Sequence, residues 1–180
     1  MVCTGNTCRS PMAEAILRAR LRERDGEIRV SSAGIDAWAG SATENSILAM
    51  SEFGLDLSSH RSRKVTPKII ASSDLILAMT RNHFDRITRL CPDAFNRTFM
   101  PSEMIRLASR PRESSESVRA WAALLSDTRP DGPIGRGADE VGDPVGEEME
   151  AYRLTARRLN AEMTALADLL VPISDTPLRR

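Results

Sequence analysis

The 180-residue chain sets 25 Lys plus Arg against 25 Asp plus Glu, so no net field draws it to nucleic acid or to a charged membrane, and attraction for an anionic substrate has to be local. Its 41% hydrophobic and 28% charged residues suit one domain with a sizeable core, and no apolar run approaches the length of a membrane span. Three cysteines are too few and too odd for a secreted disulfide framework and suit a reducing, cytoplasmic setting, while His60 and His83 alone leave a zinc site short of ligands.

The chain opens on Met1-Val2-Cys3-Thr4-Gly5-Asn6-Thr7-Cys8-Arg9-Ser10-Pro11. Cys3 and Arg9 bracket a run that includes Gly5 and Asn6, the residue types that most readily take positive φ, which predicts a backbone curled with its N–H groups inward. Ser10 suits a helix N-cap and Pro11 a first helical position, so a helix begins there and aims its partly positive end into the loop. A phosphate fits such a cradle. Beside it the thiolate of Cys3 would be stabilised, and the fork of Arg9 would hold two phosphoryl oxygens for in-line attack by sulfur. Cys3 and Cys8 could also pair under oxidation.

Ala13, Ile16, Leu17 and Leu21 recur at helical spacing, and the helix runs to about Arg24 before a turn at Asp25-Gly26. Ile28 to Ala33 reads as a short strand and Gly34 opens a loop containing Trp38, which either covers a core edge or walls a cleft. Thr43 caps a second helix with Ile47, Leu48 and Met50 on its buried side, and Gly54 suits its C-terminal end. His60-Arg61-Ser62-Arg63-Lys64 is a basic run of the kind that usually forms a solvated turn. Thr66-Pro67 starts a short helix, and Leu75 to Met79, entered from Asp74, is a buried strand. Arg81 to Leu90 is amphipathic through Phe84, Ile87 and Leu90; Cys91 follows as a core residue and Thr98 to Met100 as a last strand.

Beyond Pro101 the pattern weakens. Two helices, marked by Met104, Ile105 and Leu107 and by Val118, Trp121, Leu124 and Leu125, are joined by Arg110-Pro111-Arg112, and Asp127 to Gly142 reads as mobile loop. Glu147 to Leu170 is a long helix with Tyr152, Leu154, Leu159, Met163, Leu166 and Leu170 as core candidates, followed by a frayed tail, 172–180. Buried strands alternating with helices predict an α/β fold: one doubly wound domain over 1–171, with a central parallel four-stranded sheet flanked by helices and the Cys3 loop at the strand ends.

The run from Cys3 to Glu14, Cys-Thr-Gly-Asn-Thr-Cys-Arg-Ser-Pro-Met-Ala-Glu, resembles the signature of the low-molecular-weight protein tyrosine phosphatase family, and matching blocks recur as Ser32-Ala33-Gly34, Trp38, His60 to Arg63, Asp74 to Met79 and Asp143-Pro144. The stretch 101–142 stands outside the resemblance as a variable region. The resemblance implies a phosphoprotein phosphatase with no cofactor and no metal. Cys3 would be its nucleophile, and Thr4, Gly5, Asn6, Thr7, Cys8, Arg9 and Ser10 its phosphate-binding loop. His60 would bond Asn6 or Ser10 to hold that loop, and Asp143 would act first as general acid and then as base toward a cysteinyl-phosphate. Family members have a full apolar strand before the loop, whereas only Met1 and Val2 precede Cys3, so the first strand is expected to be truncated.

The same resemblance speaks to the substrate. Family members that act on phosphoarginine in proteins share threonine at the place of Thr7 and Met-Thr at Met79-Thr80, where tyrosine-specific members carry a larger apolar residue and Met-Asp. Val145 stands where animal tyrosine-specific enzymes carry an aromatic residue. Trp38 pulls toward phosphotyrosine as an aromatic wall. Phosphorylated proteins are therefore the expected partners, phosphoarginine ahead of phosphotyrosine. Arsenate reductases of similar fold share most of the loop but need two further cysteines, and Cys91 is the only one left; a non-catalytic phosphate-binding module is a further alternative.

Overall fold

The computed structural model describes residues 1–24 and 28–171. The expected turn at Asp25-Gly26 and the tail 172–180 lie outside the described residues.

Among the described residues, four short parallel strands carry the architecture. β1 (Val2–Cys3) pairs with β2 (Ala33–Gly34), Val2 beside Ala33 and Cys3 beside Gly34. β3 (Ile76–Leu77) pairs with β4 (Thr98–Phe99). Single parallel bridges join Val2 to Ala78 and Gly34 to Lys64, so the order across the sheet is Lys64, β2, β1, β3, β4. β1 is thus central, bonded on both sides, with Met79 N–H reaching Val2 O at 3.0 Å and Ile35 N–H reaching Cys3 O at 2.9 Å. The expected strand 28–33 joins the ladder only at Ala33, whose N–H reaches Met1 O at 3.0 Å, the first carbonyl of that ladder. Ile28 and Val30 instead pack half-buried against the core.

The helices cover both faces. α1 (Arg9–Arg22) presents Met12, Ala13, Ile16, Leu17 and Leu21 to one face, where they meet Tyr152, Ala156, Leu159, Met163 and Leu166 of α7 (Met149–Leu170). α2 (Glu44–Ser51) adds Ala49 and Met50 there. On the other face α3 (Pro67–Ala71) and α4 (Arg81–Leu90) contribute Ile70, Phe84 and Ile87 to a second cluster with Val2, Ile35, Val65 and Ile76. Two apolar layers on opposite faces of one parallel sheet make a doubly wound α/β fold. Leu48 and Leu154, expected in the core, are exposed, because the stripes of α2 and α7 turn inward at Ala49 and Met50 and at Tyr152 and Ala156. Cys91 is only half-buried, at the cap that ends α4.

The region 101–142 folds as α5 (Pro101–Leu107), α6 (Val118–Asp127) and a 3₁₀ turn (Gly137–Asp139). Its last part is tethered rather than free. Arg129 bonds the buried Glu103 at 2.9 Å and lays its guanidinium 4.1 Å from the centre of the Phe99 ring. Asp139 accepts from Arg106 at 2.7 Å, and Val141 N–H bonds Met79 O at 2.8 Å, which docks the chain at the end of the β3 strand just before Asp143.

Candidate active site

At the end of β1 the chain turns through Thr4 to Cys8 and enters α1, whose N-cap is Cys8. Ser10 therefore lies inside the first turn instead of capping it, and Pro11 sits third, where its missing N–H costs no intrahelical bond. Of the two residues expected at positive φ only Asn6 adopts it, at 56°. Gly5 is needed for space instead: a Cβ there would lie 3.2 Å from the Trp38 ring and 3.3 Å from Thr7 Oγ1. Gly34 is tighter still, since a Cβ would meet Thr4 O at 2.5 Å and Asn6 N at 2.9 Å.

Asn6 is the post on which the loop is built. Its Nδ2 donates to Ser10 Oγ at 2.9 Å and Ser32 Oγ at 2.8 Å, and its Oδ1 accepts from Arg63 N–H at 3.0 Å. Its carbonyl accepts from Ser62 Oγ at 2.8 Å and from His60 Nε2 at 2.7 Å, which puts the His60 proton on Nε2. Because Ser10 Oγ already accepts from Asn6, its own proton is free for Cys3 Sγ, 3.0 Å away. Asn6 N–H also points at that sulfur, at 3.3 Å. Two donors therefore converge on one buried sulfur.

Arg9 comes from the first turn of α1 and is nearly enclosed, its side chain 4% exposed. Nη1 donates to Val141 O at 3.1 Å, and Nη2 donates to Thr4 Oγ1 at 3.4 Å and pairs with Asp143 Oδ2. Its Nε is buried and has no hydrogen-bond partner among the described residues. An unpaired guanidinium N–H on a residue that lines the cleft suits an anionic partner. Asp143 reaches this place because Val141 docks on Met79, while Asp143 itself stays 43% exposed and open to the cleft. The cleft encloses about 380 Å³ between Thr4, Arg9, Thr80, His83, Glu140 and Asp143.

Thr7 is buried, its carbonyl accepting from Thr43 N–H at 2.9 Å, so the loop is fixed to the cap of α2. Trp38 stands over Gly5 beside Thr7 and is 64% exposed, and Val145 is also exposed, its N–H bonding Asp143 Oδ1 at 3.3 Å. Cys8 is buried, its thiol beside Ser46 of α2. Burial pushes its thiol up to about 12, so an oxidative pairing with Cys3 would start from a thiol that is scarcely ionised.

Sequence reasoning missed two groups. Ser32 and Glu14 extend the Asn6 network, Ser32 Oγ donating to Glu14 Oε2, and Ser32-Ala33-Gly34 was a visible block without a stated role. His83 lies at the cleft floor, with Nε2 2.9 Å from Thr4 Oγ1 and Nδ1 2.8 Å from Thr80 Oγ1. The spacing of Thr80 and His83 at the start of an amphipathic helix was the available signal, since a cap residue and the third helical residue share one end of the helix.

The low molecular weight phosphotyrosine protein phosphatase family profile matches residues 1–110. The chain is 38% identical over 131 residues to a probable low molecular weight protein-tyrosine-phosphatase, AmsI of Erwinia amylovora, covering 71% of this chain and 88% of that one. It is 31% identical over 171 residues to a protein-arginine-phosphatase of Geobacillus stearothermophilus, covering 94% and 93%. Among solved structures it superposes on the YwlE arginine phosphatase, in a mutant whose active-site serine is phosphorylated, with a TM-score of 0.72 at 29% identity, covering 93% and 91%. The chain belongs to the low molecular weight phosphotyrosine protein phosphatase family, a family of hydrolases whose curated members similar to it include both tyrosine and arginine phosphatases.

Proposed function

We propose that this protein dephosphorylates proteins through a cysteinyl-phosphate on Cys3 and that phosphoarginine is its preferred substrate. The observation that carries the phosphoryl chemistry is the buried Arg9 Nε, without a hydrogen-bond partner among the described residues, in a loop whose Cys3 sulfur receives two hydrogen bonds. A phosphoryl group in the loop gives Nε its partner. The Cys3 thiolate then attacks phosphorus; the S–P bond forms as the P–N bond to the substrate guanidine breaks, and Asp143 gives its proton to the leaving nitrogen. In the second half the Asp143 carboxylate takes a proton from water, whose oxygen attacks phosphorus, and sulfur leaves as thiolate with release of orthophosphate. Arg9 and the loop amides hold the equatorial oxygens in both halves.

The preference for phosphoarginine rests on Thr7. Thr7, Gly5 and Trp38 meet at one wall, and a small hydroxyl-bearing residue there leaves width for a planar guanidinium that Asp143 can hydrogen-bond. The arginine phosphatase that spans nearly the whole chain supports the same reading. Phosphotyrosine is the second reading, favoured by the exposed ring of Trp38, which can stack on a phenyl group. The test compares kcat/KM on phosphoarginine and phosphotyrosine peptides in the parent and in Thr7→Ile. The parent is expected to prefer phosphoarginine and the variant to shift toward phosphotyrosine; a parent that cleaves phosphotyrosine and ignores phosphoarginine would overturn the preference and leave the cysteine chemistry standing.

A further inference from the structure

His83 is 3% exposed, yet no step of the phosphoryl transfer above uses it. Its surroundings assign its proton. Thr80 caps α4, its oxygen accepting His83 N–H at 3.4 Å, and the hydroxyl proton of Thr80 is then free for His83 Nδ1 at 2.8 Å. With Nδ1 accepting, the one proton of a neutral ring sits on Nε2, 2.9 Å from Thr4 Oγ1. Thr4 Oγ1 also receives Arg9 Nη2 at 3.4 Å. Both lone pairs of Thr4 are then engaged, and its own proton is left to donate into the cleft that Thr4, Arg9, His83 and Asp143 line together.

We propose that His83, as the neutral Nε2–H tautomer, is a positioning residue for the phosphatase reaction: it orients the Thr4 hydroxyl as a donor toward the bound phosphoryl group and braces Arg9 through it. Thr4 is exposed, lines the cleft and directly follows the proposed nucleophile, so a hydroxyl fixed there adds a donor beside Arg9. Arg9 Nη2 is otherwise held by Asp143, which has to release it in part when it turns to the leaving group; the Thr4 contact keeps the guanidinium in register through that exchange. The charged groups that bear on the ring are Arg9, Asp143, Glu140 and Asp36. Burial outweighs the carboxylates and holds the imidazole down to about 4, so it is uncharged at neutral pH, as the assigned tautomer requires.

The inference rests on the Cys3 loop being the phosphoryl site, and an aryl phosphate assay with Cys3→Ser beside the parent decides that point by itself. With that control in place, His83→Phe, Thr4→Val, the double variant and His83→Gln are compared with the parent for kcat, KM and melting temperature. The expected pattern is a fall of about tenfold in kcat/KM, carried mostly by kcat, in both single variants, as for one lost charge-assisted contact. The double variant should be no slower than Thr4→Val, because His83 acts through Thr4, and His83→Gln, which keeps an N–H donor, should recover part of the rate. Full activity in a folded His83→Phe, or losses that multiply in the double variant, would overturn the proposal. Should His83→Phe fail to fold, the tautomer is read in the parent by nitrogen-15 NMR at neutral pH. A proton on Nε2 together with the Thr4→Val loss supports the proposal, and a proton on Nδ1 or an imidazolium rejects it.

Discussion

Cys3 and Asp143 take part in different bonds of the proposed reaction, and two variants separate them. Cys3→Ser is expected to lose at least ~10³-fold in turnover while orthophosphate still binds, because Arg9 and the amides do the binding; isothermal titration beside the rate assay checks both halves. Asp143→Asn should slow substrates with poor leaving groups by about 10²-fold and activated aryl phosphates far less, since the latter barely require protonation. Equal slowing on both would reduce Asp143 to a partner of Arg9. The residues of the loop were legible in the sequence because their chemistry is local: seven consecutive positions hold a thiol, a guanidinium and the turn-formers between them. Their detailed jobs were less so. Gly5 looked like a φ residue and is a clearance for Trp38, and Ser10 looked like a cap and is a hydroxyl against Cys3. Both depend on a side chain or an atom brought in by folding. His83 was legible only in part: its spacing from Thr80 was in view, but its partner Thr4 lies 79 residues away.

Among the elements, helices were readable, and two strands were placed, β3 inside Leu75 to Met79 and β4 inside Thr98 to Met100. Thr43 and Thr66 cap as their residue types predict, and α4 and α7 end where expected, at Leu90 and Leu170, although Leu90 and Leu154 are exposed. Strands that pair over two residues leave too little alternation to set their bounds, so the stretch ending at Ala33 was drawn far too long. The segment 127–142 misled because its Gly, Pro and Asp suggest freedom, whereas distant residues anchor it: Arg106 holds Asp139, Met79 O holds Val141 N–H, and Arg129 anchors its start. Arg129 donates to Glu103, Ser126 Oγ and the Thr98 carbonyl and lies among three phenylalanine rings. Arg129→Ala leaves Glu103, 2% exposed, without its partner, and is expected to cost about 3–5 kcal/mol in denaturant melts, the usual penalty for stranding a buried charge. Arg129→Lys should cost less but not nothing, because a point charge cannot reproduce the fork.

For the molecule as a whole, the buried imidazole of His83 ties stability to pH. Its value falls to about 4 in the folded protein from the ordinary 6.5, so between those limits the unfolded chain holds a proton that the folded one does not. Stability therefore rises with pH through this window: the contribution is complete above about pH 6.5 and is lost as pH falls toward 4. Melting temperatures of the parent should decline over that range, and His83→Gln should flatten that part of the curve; an unchanged slope would show that other groups carry it. Gly34 binds the sheet to the loop with no clearance at all. The atoms a Cβ would strike are Thr4 O and Asn6 N, and the latter also holds the sulfur of Cys3, so the backbone cannot step aside without carrying the nucleophile with it. In the gene, that makes the glycine codon a point where only silent changes can persist: a library randomised there and selected for turnover should return synonymous triplets alone.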